Sequence, residues 1–237
     1  MTIASPSPES VDIDAAKWLV GQANAQGGTY HRLDFGDGLV IEGDYDMPKY
    51  LPYYDLPEDL AGKTVLDAGT ASGFFAIETE RRGATVTAID IWGDDCLLAQ
   101  LIRTFHLGIR YVQKNLYDLD STFGQFDLVV CGSLLLHLPD PVGALRALRS
   151  VTKDRLILSS AATPDSATTR QPVCYFRGDR ATEADYWYYW EFSAFALERM
   201  LLAAGFSRVE NVRHFDLCTE PGRIEFATPH VSLSAYV

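Results

Sequence analysis

Residues 65–78 read VLDAGTASGFFAIE. Val65-Leu66 close an apolar run that ends in an acid, Asp67. A turn of small residues then holds two glycines four apart, Gly69 and Gly73, and an apolar helical pattern follows. Strand, bare turn and helix in this order keep the backbone of the turn accessible to a ligand. A dinucleotide site wants G-x-G-x-x-G and a P-loop wants Gly-Lys-Ser/Thr beside a phosphate. Neither pattern is present; the spacing is D-x-G-x-x-x-G.

Outward from this turn the rhythm is regular. ATVTAID (84–90) reads as the next strand, and DDCLLAQLIRTFH as a helix with Asp94 and Asp95 in its first turn. IRYVQKN and QFDLVVCG read as strands, and a helix runs from about Pro141 to Val151. DRLILSS follows as another strand. Alternating β and α elements with continuously apolar strands predict a parallel sheet covered by helices on both faces. SAFALERMLLAAG is a further helix ending at Gly205. FSRVENVRHF and RIEFATPHVSLSAYV read as a closing antiparallel pair. Ahead of the sheet, a helix is expected from Pro8 to Gln26 with Val11, Ala15, Trp18 and Leu19 on one face. A hairpin around Gly36-Asp37-Gly38 follows, and then short helical turns in MPKYLPYYDLP (47–57). Residues 161–192 read as a long irregular insertion with an aromatic knot, YWYYWEF. The division expected is residues 1–60 as a helix-and-hairpin cap and 61–237 as the main domain, with a substrate-pocket insertion at 161–192.

The chain of 237 residues is 47% hydrophobic, enough for a sizeable core, and carries a net charge of −12. An acidic surface repels phosphate backbones, which makes nucleic acid an unfavoured partner. Four dispersed cysteines lack metal-ligand spacing, so no metal is expected. No signal-like or membrane-spanning stretch stands out, which predicts a soluble cytoplasmic protein. A monomer or homodimer, with a partner protein as an alternative, fits this composition.

Asp90, at the end of the second strand, is placed to accept hydrogen bonds from vicinal ribose hydroxyls. A turn without a phosphate grip beside a ribose-binding acid suits a nucleoside with a compact, partly cationic group. VLDAGTASGFFAIE followed by VTAID resembles the first two motifs of class I S-adenosylmethionine-dependent methyltransferases. FDLVVCGSLLLHLPDPVGALRAL resembles the fourth-strand motif of the subgroup related to tRNA wobble-uridine carboxymethyltransferases, a motif shared with small-molecule tailoring enzymes. The resemblance covers residues 63–160 and implies a Rossmann-like sheet of seven strands, the last antiparallel. It implies S-adenosylmethionine as cofactor, held by Asp67, Gly69, Thr70, Gly73, Asp90, Ile91, Asn115, Leu116 and Ser133. Thr70-Ala71 and Asn115 depart from the family's usual residues.

His137 and His31 are the candidate general bases. Tyr30 and Arg32 of the hairpin, with Trp187, Tyr188 and Trp190 of the knot, are candidate substrate contacts. Each has a plainer reading: Asp67 as a helix cap, His137 as a packing residue, Arg32 as a surface charge, the knot as local packing. The expected activity is O- or N-methylation of a small natural-product intermediate. A non-methylating ring closure on the same scaffold is the alternative, and tRNA modification is disfavoured by the charge.

Overall fold

A computed structural model of the chain describes residues 11–180, 187–223 and 225–237. Pro8 and Tyr186 lie outside the described residues, as does the side chain of Trp187. The first helix, α1 (Ile13–Ala25), starts at Asp12, whose carboxylate accepts the N–H groups of Asp14 and Ala15. Its buried face is Ala16, Leu19, Val20 and Ala23. That corrects the expected stripe, since Trp18 points outward and is 65% exposed. Next come β1 (Thr29–His31), the hairpin of β2 (Leu33–Asp34) and β3 (Val40–Ile41), and β4 (Gly43–Tyr45), which pairs in parallel with β1. Two 3-10 turns, Met47–Lys49 and Leu51–Tyr53, each begin beside a proline.

The main sheet is built from β5 (Thr64–Ala68), β6 (Thr85–Asp90), β7 (Arg110–Gln113), β8 (Phe126–Gly132) and β9 (Thr152–Ala161). Between them run α2 (Phe74–Arg81), α3 (Leu97–Phe105) and α4 (Pro141–Val151). After β9 an arm of β10 (Cys174–Arg180) and β11 (Trp187–Phe192) leaves the sheet. Then α5 (Ala194–Ala204), β12 (Arg208–Cys218) and β13 (Ala227–Tyr236) complete the chain. Strand order is β12-β13-β9-β8-β5-β6-β7, parallel throughout except that β13 is antiparallel to both its neighbours. The seven-stranded, mostly parallel sheet expected from the sequence is therefore the one observed.

Successive strand residues serve opposite layers, as the pleat requires. Val65, Val86, Ala88, Leu128 and Val130 pack with α1, α2, α3 and the hairpin. Leu66, Ile89, Val129 and Cys131 pack with α4 and α5. Each fully buried Leu or Ile side chain contributes roughly 1.5–3 kcal/mol of transfer free energy. The first layer also includes Leu19, Ile41 and Tyr54, so the N-terminal elements share one core with the sheet.

Two further expectations are corrected. Asp94 and Asp95 precede α3 rather than lying in its first turn: Cys96 N–H bonds to Gly93 O and closes a turn there, and Cys96 is the N-cap. The insertion is not irregular throughout. It contains the antiparallel β10–β11 ribbon, paired from Cys174↔Phe192 to Arg180↔Trp187 with an irregularity between Phe176 and Asp179. Phe192 is wholly buried and anchors the ribbon in the second layer. No described helix is long and apolar enough to cross a membrane.

Candidate active site

Chain direction over the sheet reverses at β5: β6 and β7 extend one way, β8 and β9 the other. A crevice beyond the carboxyl ends of β5 and β8 is the place such sheets bind ligands. The turn after β5 builds its floor. Gly69 has φ +77° and its N–H, like that of Thr70, donates to Ile89 O, at 3.0 and 3.1 Å. A Cβ on Gly69 would come within 2.6 Å of Leu134 Cδ2, so the missing side chain lets the loop after β8 close over the turn. Gly73, at φ +96°, is the N-cap of α2, and a Cβ there would stand 2.5 Å from Leu98 Cδ1. Ala71 is also left-handed, at φ +49°.

Two carboxylates fasten this turn. Asp67 is 1% exposed, and its Oδ2 accepts the Thr70 hydroxyl at 2.6 Å and Ala76 N–H at 3.0 Å. Burial raises its pKa to about 7, while these two hydrogen bonds pull the other way. Asp67 thus lies beneath the turn, with its Oδ2 fastening Thr70 and Ala76. Asp90 ends β6 and is half-buried. Its Oδ2 accepts Ala71 N–H at 2.9 Å and its Oδ1 accepts Ile91 N–H at 2.7 Å. Desolvation pushes its pKa up against those bonds. Each Asp90 oxygen has further lone pairs, which vicinal hydroxyls can use. Ile91 and Trp92 beyond it are exposed, at 65% and 56%.

A cavity of about 500 Å³ opens beside the turn. Ala71 and Ser72 line it on one side, Trp92 and Cys96 on another, and Leu19, Ala23 and Tyr30 on the third. Along the outer rim, Asn115 Oδ1 accepts Tyr117 N–H at 3.0 Å, which leaves the Asn115 amide N–H groups to donate. Leu116 is buried beneath it. Tyr117 is pinned in turn, its hydroxyl donating to Asp140 O at 3.1 Å.

The two candidate bases stand against different walls. His31 is buried under the turn, its N–H donating to Ser72 Oγ at 2.9 Å and its ring packed on Tyr30, Phe74 and Phe75. Burial lowers its pKa to about 3, and its Nδ1 has no partner among the described residues. His137 closes a 3-10 turn after β8 and is half-buried, its ring 6.4 Å from that of Tyr188 on β11. Trp190 of the same strand packs on Phe176 and Phe192. Tyr188 thus joins His137 near the rim, whereas Trp190 serves the ribbon. Arg32 is not brought to this crevice. Asp34, Glu42 and Asp46 surround its guanidinium at 3.7–3.8 Å, which satisfies the cation within the hairpin.

Ser133 ends the set, at the tip of β8 with φ +49°. Its hydroxyl lies 3.1 Å from Nε2 of His230, a residue of β13 that sequence reading passed over. Tyr54 and Ser159 were likewise missed, although Tyr54 is 1% exposed and 3.0 Å from Ser159 Oγ. Only the pairing of β13 with β9 brings these residues together, and no local pattern announces it.

The site fits a nucleoside cofactor: the left-handed glycines let Leu134 and Leu98 close against the turn at the sheet's switch point, and Asp90 keeps carboxylate lone pairs for vicinal hydroxyls. Comparisons with known proteins agree. The chain is 37% identical over 97 residues to a ubiquinone biosynthesis O-methyltransferase of Escherichia coli O127:H6, covering 40% of each chain. It is 35% identical over 109 residues to the enzyme of that name from Pseudomonas paraeruginosa, covering 45% of this chain and 47% of the relative. The match thus spans less than half the length of these curated relatives. They replace the expected tRNA wobble-uridine subgroup, which finds no support. Among solved structures, the N-terminal domain of EvdMO1 with SAH bound aligns at TM-score 0.65 and 15% identity, covering 93% of this chain and 96% of that one. A Burkholderia thailandensis 1,6-didemethyltoxoflavin-N1-methyltransferase aligns at TM-score 0.57 and 18% identity, covering 100% of this chain and 92% of the other. The methyltransferase-domain family model matches residues 45–211, and the chain belongs to that family.

Proposed function

We propose that this protein is an S-adenosylmethionine-dependent methyltransferase that methylates a hydroxyl of a small, hydrophobic, hydroxylated acceptor in biosynthesis. One observation carries this reading: the small-residue turn at Gly69–Gly73, left-handed at Gly69, Ala71 and Gly73, is clasped to Asp90 at the sheet's switch point. The names of the curated relatives support oxygen as the methylated atom. Tyr188 beside His137, and Tyr30 and Trp92 in the cavity wall, support an acceptor with an apolar body.

A bound S-adenosylmethionine supplies an electrophilic methyl group on a sulfonium. The protein's own residues then have three tasks. Asp90 would accept the ribose hydroxyls, while the Gly69–Gly73 turn and exposed Ile91 would bound the nucleoside. Asn115 donates to the base and Leu116 supports it. His137, at the rim beside Tyr188, takes the proton from the acceptor oxygen, and His31, held neutral by burial, walls the turn with Tyr30. Alignment of acceptor, methyl and leaving sulfur in a water-poor site contributes most of the rate.

Calorimetry with S-adenosylhomocysteine tests the reading directly. Micromolar binding is expected, and a protein that takes up no S-adenosylhomocysteine would sink it.

A further inference from the structure

At the tips of β8, β9 and β13, on the flank of the crevice away from Asp90, four polar side chains meet: Tyr54, Ser133, Ser159 and His230. Tyr54, Ser159 and His230 are buried, at 1%, 0% and 4% exposure. Ser133 alone is half-buried. The arrangement of hydrogen atoms follows from the partners. His230 Nδ1 lies 3.0 Å from the Thr228 carbonyl oxygen, which can only accept, so Nδ1 carries the proton. Nε2 is then a lone pair, and Ser133 Oγ at 3.1 Å must donate to it. The Tyr54 hydroxyl bonds Ser159 Oγ at 3.0 Å and also reaches Ser133. Ser133 is fixed from its backbone as well. Its N–H donates to Ser159 O at 3.0 Å and to Ser159 Oγ at 3.2 Å.

Ser133 sits at φ +49°, a conformation that costs a residue with a Cβ about 1 kcal/mol or more. A serine held in a strained conformation by four partners is over-determined for packing alone. It is also the one member of this network that is not fully buried, at the carboxyl end of β8.

We infer that His230 is a positioning residue for the acceptor: by accepting the Ser133 hydroxyl hydrogen bond, it leaves a Ser133 Oγ lone pair to receive the acceptor's own O–H on binding, before that hydrogen turns to His137 for methyl transfer. This rests on the methyltransferase reading above. A freely rotating serine hydroxyl either donates or accepts. One whose proton is pinned can only accept, so the site selects hydrogen-bond donors. Once the acceptor oxygen is methylated it has no hydrogen to offer, and two oxygens then face each other lone pair to lone pair. The same device that recognises substrate therefore rejects product. His230 suits the task because burial lowers its pKa to about 4, with Asp216 acting in the opposite sense and His137 in the same sense. Through the neutral pH range its Nε2 stays an acceptor.

The test uses the intact protein loaded with S-adenosylhomocysteine and two probes of one shape, catechol and its dimethyl ether veratrole. Ligand-observed NMR titration should show catechol bound about tenfold more tightly, the worth of one hydrogen bond. His230→Leu should erase that preference with S-adenosylhomocysteine affinity unchanged. His230→Gln, whose amide oxygen can accept from Ser133, should restore most of it. Ser133→Ala, which leaves the buried imidazole in place, should also erase the preference and guards against misfolding of the leucine variant. Equal affinity of the two probes for the native protein, including no affinity for either, overturns the inference. So does a loss of S-adenosylhomocysteine affinity in Ser133→Ala, because the lone pair would then serve the cofactor. Failure of the native protein to bind S-adenosylhomocysteine marks the separate failure of the function reading.

Discussion

Asp90 and Asp67 show how two carboxylates bonded to one turn acquire different duties. Asp90 keeps lone pairs at the crevice mouth after accepting two backbone N–H groups. Replacing it with Ala removes the ribose acceptor and frees the Ala71 turn. Calorimetry should show S-adenosylhomocysteine affinity falling by about 100-fold or more, the scale of two charge-assisted hydrogen bonds. Asp67 makes no such offer. Its folded pKa is about 7, raised from 3.8 by burial. Between those two values the folded state holds a proton that the unfolded state has released, so stability falls as pH climbs through that window. Asp67→Asn cannot titrate and keeps an oxygen for Thr70 and Ala76. Its melting temperature should therefore match the native protein near pH 4 and exceed it at pH 8.

Elements meet most tightly where α2 begins. Gly73 lies in the left-handed region and faces Leu98 of α3 with no room for a methyl group. Gly73→Ala combines backbone strain with a displaced helix, and urea denaturation should show a loss of about 1–3 kcal/mol. This junction was legible in the sequence, because a glycine four residues after another in a strand–turn–helix pattern has few other uses. Strands β5, β6, β8 and β9 were legible for a similar reason, as buried parallel strands carry continuous apolar runs. The orientation of α1 was not: Trp18 is large and apolar, and nothing local says that it faces outward while Ala16 and Ala23 face in. The ribbon of β10 and β11 was unreadable too, since its pairing answers to Phe192 sinking into the second layer. Asp67 was legible as a site residue but not in its role, which depends on the position of Ala76 N–H. His230 had no local signature, because Ser133, on which its role depends, lies 97 positions away in the chain.

Across the whole molecule, the N-terminal helix and hairpin share a core with α2, α3 and the sheet. Bridges from Lys49 to Glu220 and from Arg155 to Asp55 tie the segment before β5 to the main sheet. Thermal unfolding followed by tryptophan fluorescence, which reports on Trp18 in α1, and by circular dichroism should therefore give one coincident transition. Two separated transitions would mean that the first 60 residues fold as their own unit. With a net charge of −12, self-repulsion weakens the compact state. Raising sodium chloride from 0.05 to 0.5 M, as an order-of-magnitude screening step, should lift the melting temperature.

Strand β13 fills an interior slot between β9 and β12 although the ribosome makes it after both. A nascent chain cut short of Ala227 would leave both of those neighbours with open edges and lack His230 altogether. Such a fragment offers two templates for pairing with other chains, so premature termination yields clumping rather than a dimmer enzyme. Chaperone dependence during synthesis should thus rest on the last strand more than on the glycine turn.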